Sequence, residues 1–284
     1  MTHRYGGAWT DAKLAAISEY LAIYSTALAA QSFQKEYIDA FAGTGRFTHK
    51  AGGDERDGSA RIALAIGGFD RYTFIDIKRK HARELSALQG EHADRDIRVI
   101  HGDANAELQA ICRAWPRNRR GVAFIDPYGM APTWETLEAI RATRAIDVWY
   151  LVPLSGFLRQ MARDPTRRDG SKERALDRAL GTGACRTELY EPRPIDDLFG
   201  ASMPPERVNQ NRVRSWLTAR FESLFPYVQE VAVLRTGSSH SRHGGPALYA
   251  LYFMMANDSN SAVALARKFV DAVRTKLQRE SVLP

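Results

Sequence analysis

The sequence predicts an α/β protein of the doubly wound, Rossmann-like type: a mostly parallel seven-stranded sheet whose last strand runs antiparallel. Three observations carry this expectation. Five short apolar stretches alternate with amphipathic helical ones between residues 37 and 154, the pattern of βαβ units. Two further apolar stretches near the C-terminus follow one another with only a polar loop between, so they must run antiparallel. No apolar run approaches the roughly 20 residues needed to cross a bilayer.

The elements follow in order. In "DAKLAAISEYLAIYSTALAAQ" (11–31), Leu14, Ile17, Leu21, Tyr24 and Leu28 fall at helical spacing. "YIDAF" (37–41) is a strand that leaves through Gly43-Thr44-Gly45. A polar loop follows, and "SARIALAIG" (59–67) resumes a helix with Ser59 as its expected N-cap. "RYTFIDI", "IRVIHGD", "GVAFIDPYG" and "AIDVWYLVPL" are the next strands, separated by "KRKHARELSALQGE", "ANAELQAICRAW" and "TWETLEAIRAT" as helices. Residues 155–205 change character: charged, with Pro165, Pro192 and Pro194, they read as helical pieces and loop inserted outside the core. Residues 206–284 supply a helix, a strand, the loop "GSSHSRHGGP", a strand and a closing helix. One domain over 1–284 is expected, with N-terminal helices to 35, a ligand-binding core at 37–154, the insertion at 155–205 and the closing segment from 206.

Forty basic against thirty-three acidic residues give a net charge of +7, a surplus that suits a polyanionic partner and equally an ordinary basic protein. The N-terminus lacks the apolar core of a signal peptide, so a cytoplasmic protein is expected. Cys112 and Cys185 are too few and too far apart for a disulfide framework or a zinc site, and His240 and His243 stand without further ligands. No metal is expected.

In open α/β sheets the ligand sits beyond the carboxyl ends of the strands. Four carboxylates fall at or near those ends: Asp39, Asp76, Asp103 and Asp126. Gly43 and Gly45 admit a tight turn and a close ligand. A nicotinamide fingerprint would want a third glycine where Thr48 stands, and the Gly-Lys-Ser/Thr of a phosphate-binding loop is absent. An acid four residues before the turn, with Phe41 between, suits a ligand bearing a positive amino group, such as S-adenosylmethionine. Asp76 can accept from a ribose diol or cap the next helix, and Asp103 can accept from an adenine amine or serve as an N-cap. In "IDPYG", Asp126 and the carbonyl of Pro127 can grip the two hydrogens of an exocyclic base amine while Tyr128 stacks on the base. The plainer alternative is a turn that ends the strand.

"YIDAFAGTGRF", "GSARIAL", "FIDIK", "HGDAN" and "FIDPYG" resemble the three-Cys-motif partner proteins, a methyltransferase-like family named for a companion that carries three cysteines. The resemblance extends over nearly the whole chain outside 155–205. The same stretches are similar to the J-type adenine-N6 methyltransferases of large-subunit ribosomal RNA. Five parallel strands and a hairpin pair are also the strand count of the class I methyltransferase fold, an analogy of fold alone. The resemblance implies that Asp39, Phe41, Gly43, Gly45, Asp76 and Asp103 bind S-adenosylmethionine, and that Asp126, Pro127 and Tyr128 meet the target amine. One proline stands in "DPYG" where the amino-methyltransferase motif usually has two.

Lys13 is expected either to reach the cofactor carboxylate or to lie on a solvated helix face. Arg46 and His49 in the loop after the turn, and His240 and His243 in the late loop, are candidates to touch substrate. "WPRNRRG" and "RDPTRRDGSKERALDR" can follow a phosphate backbone or form solvated faces. The activity expected is S-adenosylmethionine-dependent methylation of an amino group on RNA or DNA, adenine N6 first. The alternatives are a small-molecule or protein acceptor, or an inactive cofactor-binding subunit of a cysteine-rich partner.

Overall fold

A computed structural model describes residues 8–48, 54–192, 205–235 and 245–279. Its centre is a sheet of β1 (Gln34–Asp39), β2 (Arg71–Asp76), β3 (Ile97–His101), β4 (Arg119–Ile125), β5 (Ile146–Val152), β6 (Tyr227–Arg235) and β7 (Ala247–Met255). The spatial order is β6-β7-β5-β4-β1-β2-β3. β1 pairs in parallel with β2 and β4, β2 with β3, and β4 with β5. β7 is antiparallel to β5, and β6 is antiparallel to β7. The expected antiparallel last strand is therefore present, slotted between β5 and β6. This is the class I methyltransferase arrangement.

The chain moves outward from β1 to β2 and β3, then returns to β4 on the other side of β1. Strand order reverses there, which opens a crevice at the carboxyl ends of β1 and β4. Both faces of the sheet are covered, so central strands read as unbroken apolar runs rather than alternating ones. Every residue of β5, "IDVWYLV", is buried, including Asp147.

The helices are α1 (Ala8–Ala27), α2 (Ser59–Ile66), α3 (Arg79–Glu91), α4 (Ala104–Arg113), α5 (Trp134–Ala142), α6 (Leu154–Gln160), α7 (Gly170–Leu180), α8 (Cys185–Glu188), α9 (Gln210–Glu222) and α10 (Asn260–Arg279). α1, α2, α3 and α10 bury Ile17, Leu64, Leu85 and Val270 in one apolar cluster; α4 to α9 bury Leu108, Leu137, Leu176 and Leu217 in another. Tyr20 of α1 anchors the first cluster, with its ring 5.1 Å from Trp149 and 5.2 Å from Phe253.

Three local expectations differ. Residues after Gly45 form a two-stranded antiparallel ribbon, Arg46–Thr48 with Glu55–Asp57, where a polar loop was expected. Gly58 occupies the N-cap of α2, and the Ser59 side chain points to other work. The 155–205 segment is mostly helical among its described residues, and Phe157, Leu176, Leu180 and Leu189 enter the second core cluster. Among the described residues no helix is long and apolar enough to cross a membrane, and no three metal-ligating side chains cluster.

Candidate functional site

The turn after β1 is held by the sheet on both sides. Ala40 N–H donates to Phe124 (3.0 Å) and Ala42 N–H to Ile75 (3.0 Å), keeping the chain in register past the end of the strand. Gly43 and Gly45 then turn at φ of 63° and 73°, a region that L side chains rarely adopt. A Cβ on Gly43 would meet no atom within 4 Å, so the turn faces open space. Gly43 N–H donates to Asp76 Oδ2 at 3.0 Å, fastening the turn to the end of β2.

Asp76 also accepts from Lys78 N–H at 2.7 Å and lies 3.0 Å from Nδ1 of the buried His81. An ionised carboxylate offers about four acceptor positions. Three are met within the protein, which leaves room for one further donor. Asp103 is the N-cap of α4, where Oδ1 accepts from Asn105 and Ala106 N–H at 3.0 Å each. The adenine-amine alternative is left to its other oxygen. Phe41 is half-buried against the second apolar cluster.

Asp39 is fully buried. Oδ2 accepts from the Ser59 hydroxyl at 2.5 Å and from Tyr37 OH at 3.4 Å, while the equally buried Oδ1 has no side-chain hydrogen-bond partner among the described residues. Burial pushes its carboxyl up to about 7; the Ser59 hydroxyl opposes this, nearby Asp126 adds to it, and the Phe41 N–H and Lys13 oppose it. A buried acceptor without a partner is costly. A positively charged amino group beside the open turn would lie in the field of this carboxylate, so the charge of the residues present fits the methionine end of S-adenosylmethionine.

Asp126 follows β4 directly. Lys13 of α1, expected either on the cofactor carboxylate or on a solvated helix face, forms an ion pair with Asp126 Oδ2. Pro127 and Tyr128 come next, and the Tyr128 ring is 85% exposed. Gly129 then turns at φ 76°. The far side of this loop is pinned by Asn105, which donates to Ala131 O (2.9 Å) and accepts from Thr133 N–H and the Thr136 hydroxyl (2.9 Å each). Tyr249 enters from β7: burial, then the charge of Asp126, raises its hydroxyl pKa, while Arg159 of α6 opposes. The crevice thus gathers Lys13, Asp39, Asp126, Tyr128, Tyr249 and Arg159.

Ser59, His81, Tyr249 and Arg159 were not singled out from the sequence as members of the site. A signal existed for Tyr249, because the start of an antiparallel β7 must lie at the carboxyl end of β5. Arg46 sits on the ribbon beside Glu55 (2.6 Å), and Arg56 reaches Asp11 of α1 at 3.3 Å. His49, His240 and His243 lie outside the described residues. Of the two basic clusters, a few members are engaged internally, while Arg163, Lys172, Arg174 and Arg178 are exposed. Arg168 and Arg186 meet Glu173, and Arg119 joins Glu36 at 2.7 Å at the opposite end of the sheet.

No protein-family model matches the chain, and no curated protein matches it in sequence. Among solved structures, a Legionella pneumophila protein of the DUF519 family superposes with a TM-score of 0.52 at 11% identity, covering 92% of each chain. Trm1 from Pyrococcus horikoshii, solved with S-adenosyl-L-methionine, superposes with a TM-score of 0.45 at 14% identity over 90% of this chain and 57% of that one. At such identities the likeness is one of fold.

Proposed function

We propose that the chain is an S-adenosylmethionine-dependent methyltransferase whose acceptor is an amino group of a nucleic-acid base, with adenine N6 the first target. The observation that carries this reading is the pair of unlike acids in one crevice. Asp39 is sealed, with one oxygen in want of a donor; Asp126 is partly open and adjoins an exposed aromatic ring. The bound cofactor would supply an electrophilic methyl on a sulfonium. Asp39 would attract its ammonium group through the field of the buried carboxylate, Gly43 would let the backbone come close, and Asp76 and Asp103 would each offer a remaining oxygen lone pair.

Lys13 engages Asp126 Oδ2 and holds the carboxylate in place, so Oδ1 can accept an N–H of the base amine. With the Pro127 carbonyl taking the second hydrogen, the nitrogen lone pair is drawn out of the ring. Tyr128 is placed to stack on the base, a contact worth about 1–3 kcal/mol. Orientation then accounts for much of the rate, since no covalent nucleophile is needed. The net charge of +7 supports a polyanionic substrate. A cysteine-rich companion, implied by the resemblance to three-Cys-motif partner proteins, belongs to the same proposal.

The test is methyl transfer from labelled S-adenosylmethionine to tRNA, ribosomal RNA fragments and duplex DNA, with nucleosides resolved by mass spectrometry. N6-methyladenosine is expected, with binding that weakens linearly in log–log coordinates as salt rises. Methylation of a small molecule or protein alone overturns the nucleic-acid target. Failure to bind the cofactor by calorimetry overturns the class.

A further inference from the structure

We infer that the amino-terminal end of the sheet carries a second binding site, which takes a small organic amine with a flat apolar body. The site is a cavity of about 330 Å³ at the opposite end of the strands from Asp39 and Asp126. That volume lies within the range of small-molecule pockets. Asp147, the second residue of β5, lines it together with Tyr24 of α1, Phe33 just before β1, Arg120 of β4, and Leu265 and Phe269 of α10.

Asp147 sets the ligand's charge. It is 8% exposed, and Oδ2 accepts from the Tyr20 hydroxyl at 2.6 Å. Oδ1 has no hydrogen bond among the described residues and is left to the cavity. A carboxylate taken from water is costly unless a cation or several donors meet it. Arg120 acts on the carboxylate through its field but makes no hydrogen bond to it among the described residues; its Nη1 donates to the carbonyl oxygens of Arg117 (3.3 Å) and Arg119 (3.0 Å). Its guanidinium lies over the Phe33 ring at 5.4 Å. An ammonium group reaching Oδ1 would supply a charged hydrogen-bond donor there.

The walls set the ligand's shape. Tyr24, Phe33 and Phe269 present aromatic surface, and Leu265 is an exposed apolar side chain at the rim. Flat apolar bodies and cations both gain from such faces. None of these residues belongs to the crevice at the other end, so this site stands whether or not the chain transfers methyl groups.

Tryptamine is a suitable probe, with indole-3-ethanol as its neutral isostere and indole-3-propionate as the anionic one. At pH 8 tryptamine should bind the full chain saturably and at least about tenfold more tightly than the alcohol, with the propionate weakest. Asp147→Asn should reduce tryptamine to the level of the alcohol. Ala262→Trp, from a partly exposed position on the lining, should abolish binding of both while the melting transition persists. Tryptamine affinity should also rise between pH 6 and 8 as Asp147 ionises. The other polar groups facing that carboxyl are Arg120, a guanidinium, and Tyr20 and Tyr24, which burial holds neutral. Equal binding of tryptamine and alcohol, undiminished tryptamine binding by Asp147→Asn, or no saturable binding of any probe would each overturn the site.

Discussion

Asp39 and Asp147 are both buried carboxyls, held at opposite ends of one sheet, and burial raises each to about 7. Their surroundings differ. Asp39 lies within the fields of Asp126 and Lys13, beside a glycine turn that faces open space. Asp147 meets one phenol and an aromatic-walled cavity, with Arg120 the charge that acts on it. Burial marks where the fold tolerates a costly charge, while the neighbours dictate what can come to meet it. In the two proposals a cation arrives at the carboxyl end with a reaction partner close by, and at the amino end it brings only a flat body.

The largest effect expected is at Asp126, which distinguishes the reactive end from the merely receptive one. Asp126→Ala should leave S-adenosylmethionine affinity within a few-fold and nearly abolish transfer, because an interaction used in the transition state is lost from turnover rather than from ground-state binding. Asp126→Asn retains an acceptor oxygen and should keep more activity. An alanine variant as fast as the parent would reduce Asp126 to a strand-end residue. Next comes Asp39→Asn, expected to weaken the cofactor roughly tenfold or more, since each 1.4 kcal/mol is a decade. Parent affinity should climb as Asp39 ionises near pH 7 and then level off, and the variant should lose that climb. Asp147→Asn should leave the climb intact; a parallel loss there would erase the distinction between the two ends. Asp76→Ala should cost about tenfold in the same titration, through one ribose bond and a loosened Gly43 turn.

Both acids also tie the stability of the ligand-free protein to pH, and the sign follows from linkage. Each folded carboxyl keeps its proton up to about pH 7, whereas the unfolded chain releases it near 4. The folded state therefore binds more protons across that window, and stability falls as pH rises through it. The contribution of each is on the order of 4 kcal/mol as an upper bound, from roughly three pH decades at 1.4 kcal/mol apiece. Melting temperature should decline from pH 5 to 8, and Asp147→Asn should make the decline shallower. An equally steep decline in the variant would show that Asp147 is not charged at a cost.

The alternation of strands and helices was legible because βαβ units write their period into the chain. So was the position of the acids, because the end of an apolar run marks the end of a strand. The Lys13–Asp126 pair was not legible. It joins residues 113 apart and depends on how α1 lies across the sheet, which helical spacing does not record. The ribbon after Gly45 escaped notice because three-residue strands are too short to show a period. Asp147 was passed over inside "AIDVWYLVPL", where one acid in a buried run looks like the edge of a strand. Its partner, Tyr20, sits on a helix 127 residues earlier.

The smallest effect is the one that tests the upper acid most finely. From the sequence Ser59 is a helix cap; in the fold Gly58 holds that position and the Ser59 hydroxyl donates to Asp39 Oδ2. The two roles make opposite predictions for Ser59→Ala. Loss of a cap would cost about 1 kcal/mol of stability and leave the pH dependence of cofactor binding where it was. Loss of a donor to a buried carboxylate would disfavour the charged form and raise the Asp39 pKa further, because the Ser59 bond is the strongest influence holding it down. The midpoint of the affinity climb should then move to higher pH, while the plateau reached once Asp39 is ionised stays within a few-fold of the parent. Titrating cofactor affinity from pH 6 to 9 in parent and variant decides between them. A midpoint that stays fixed while the melting temperature drops would return Ser59 to the helix and leave Asp39 governed by burial and its charged neighbours alone.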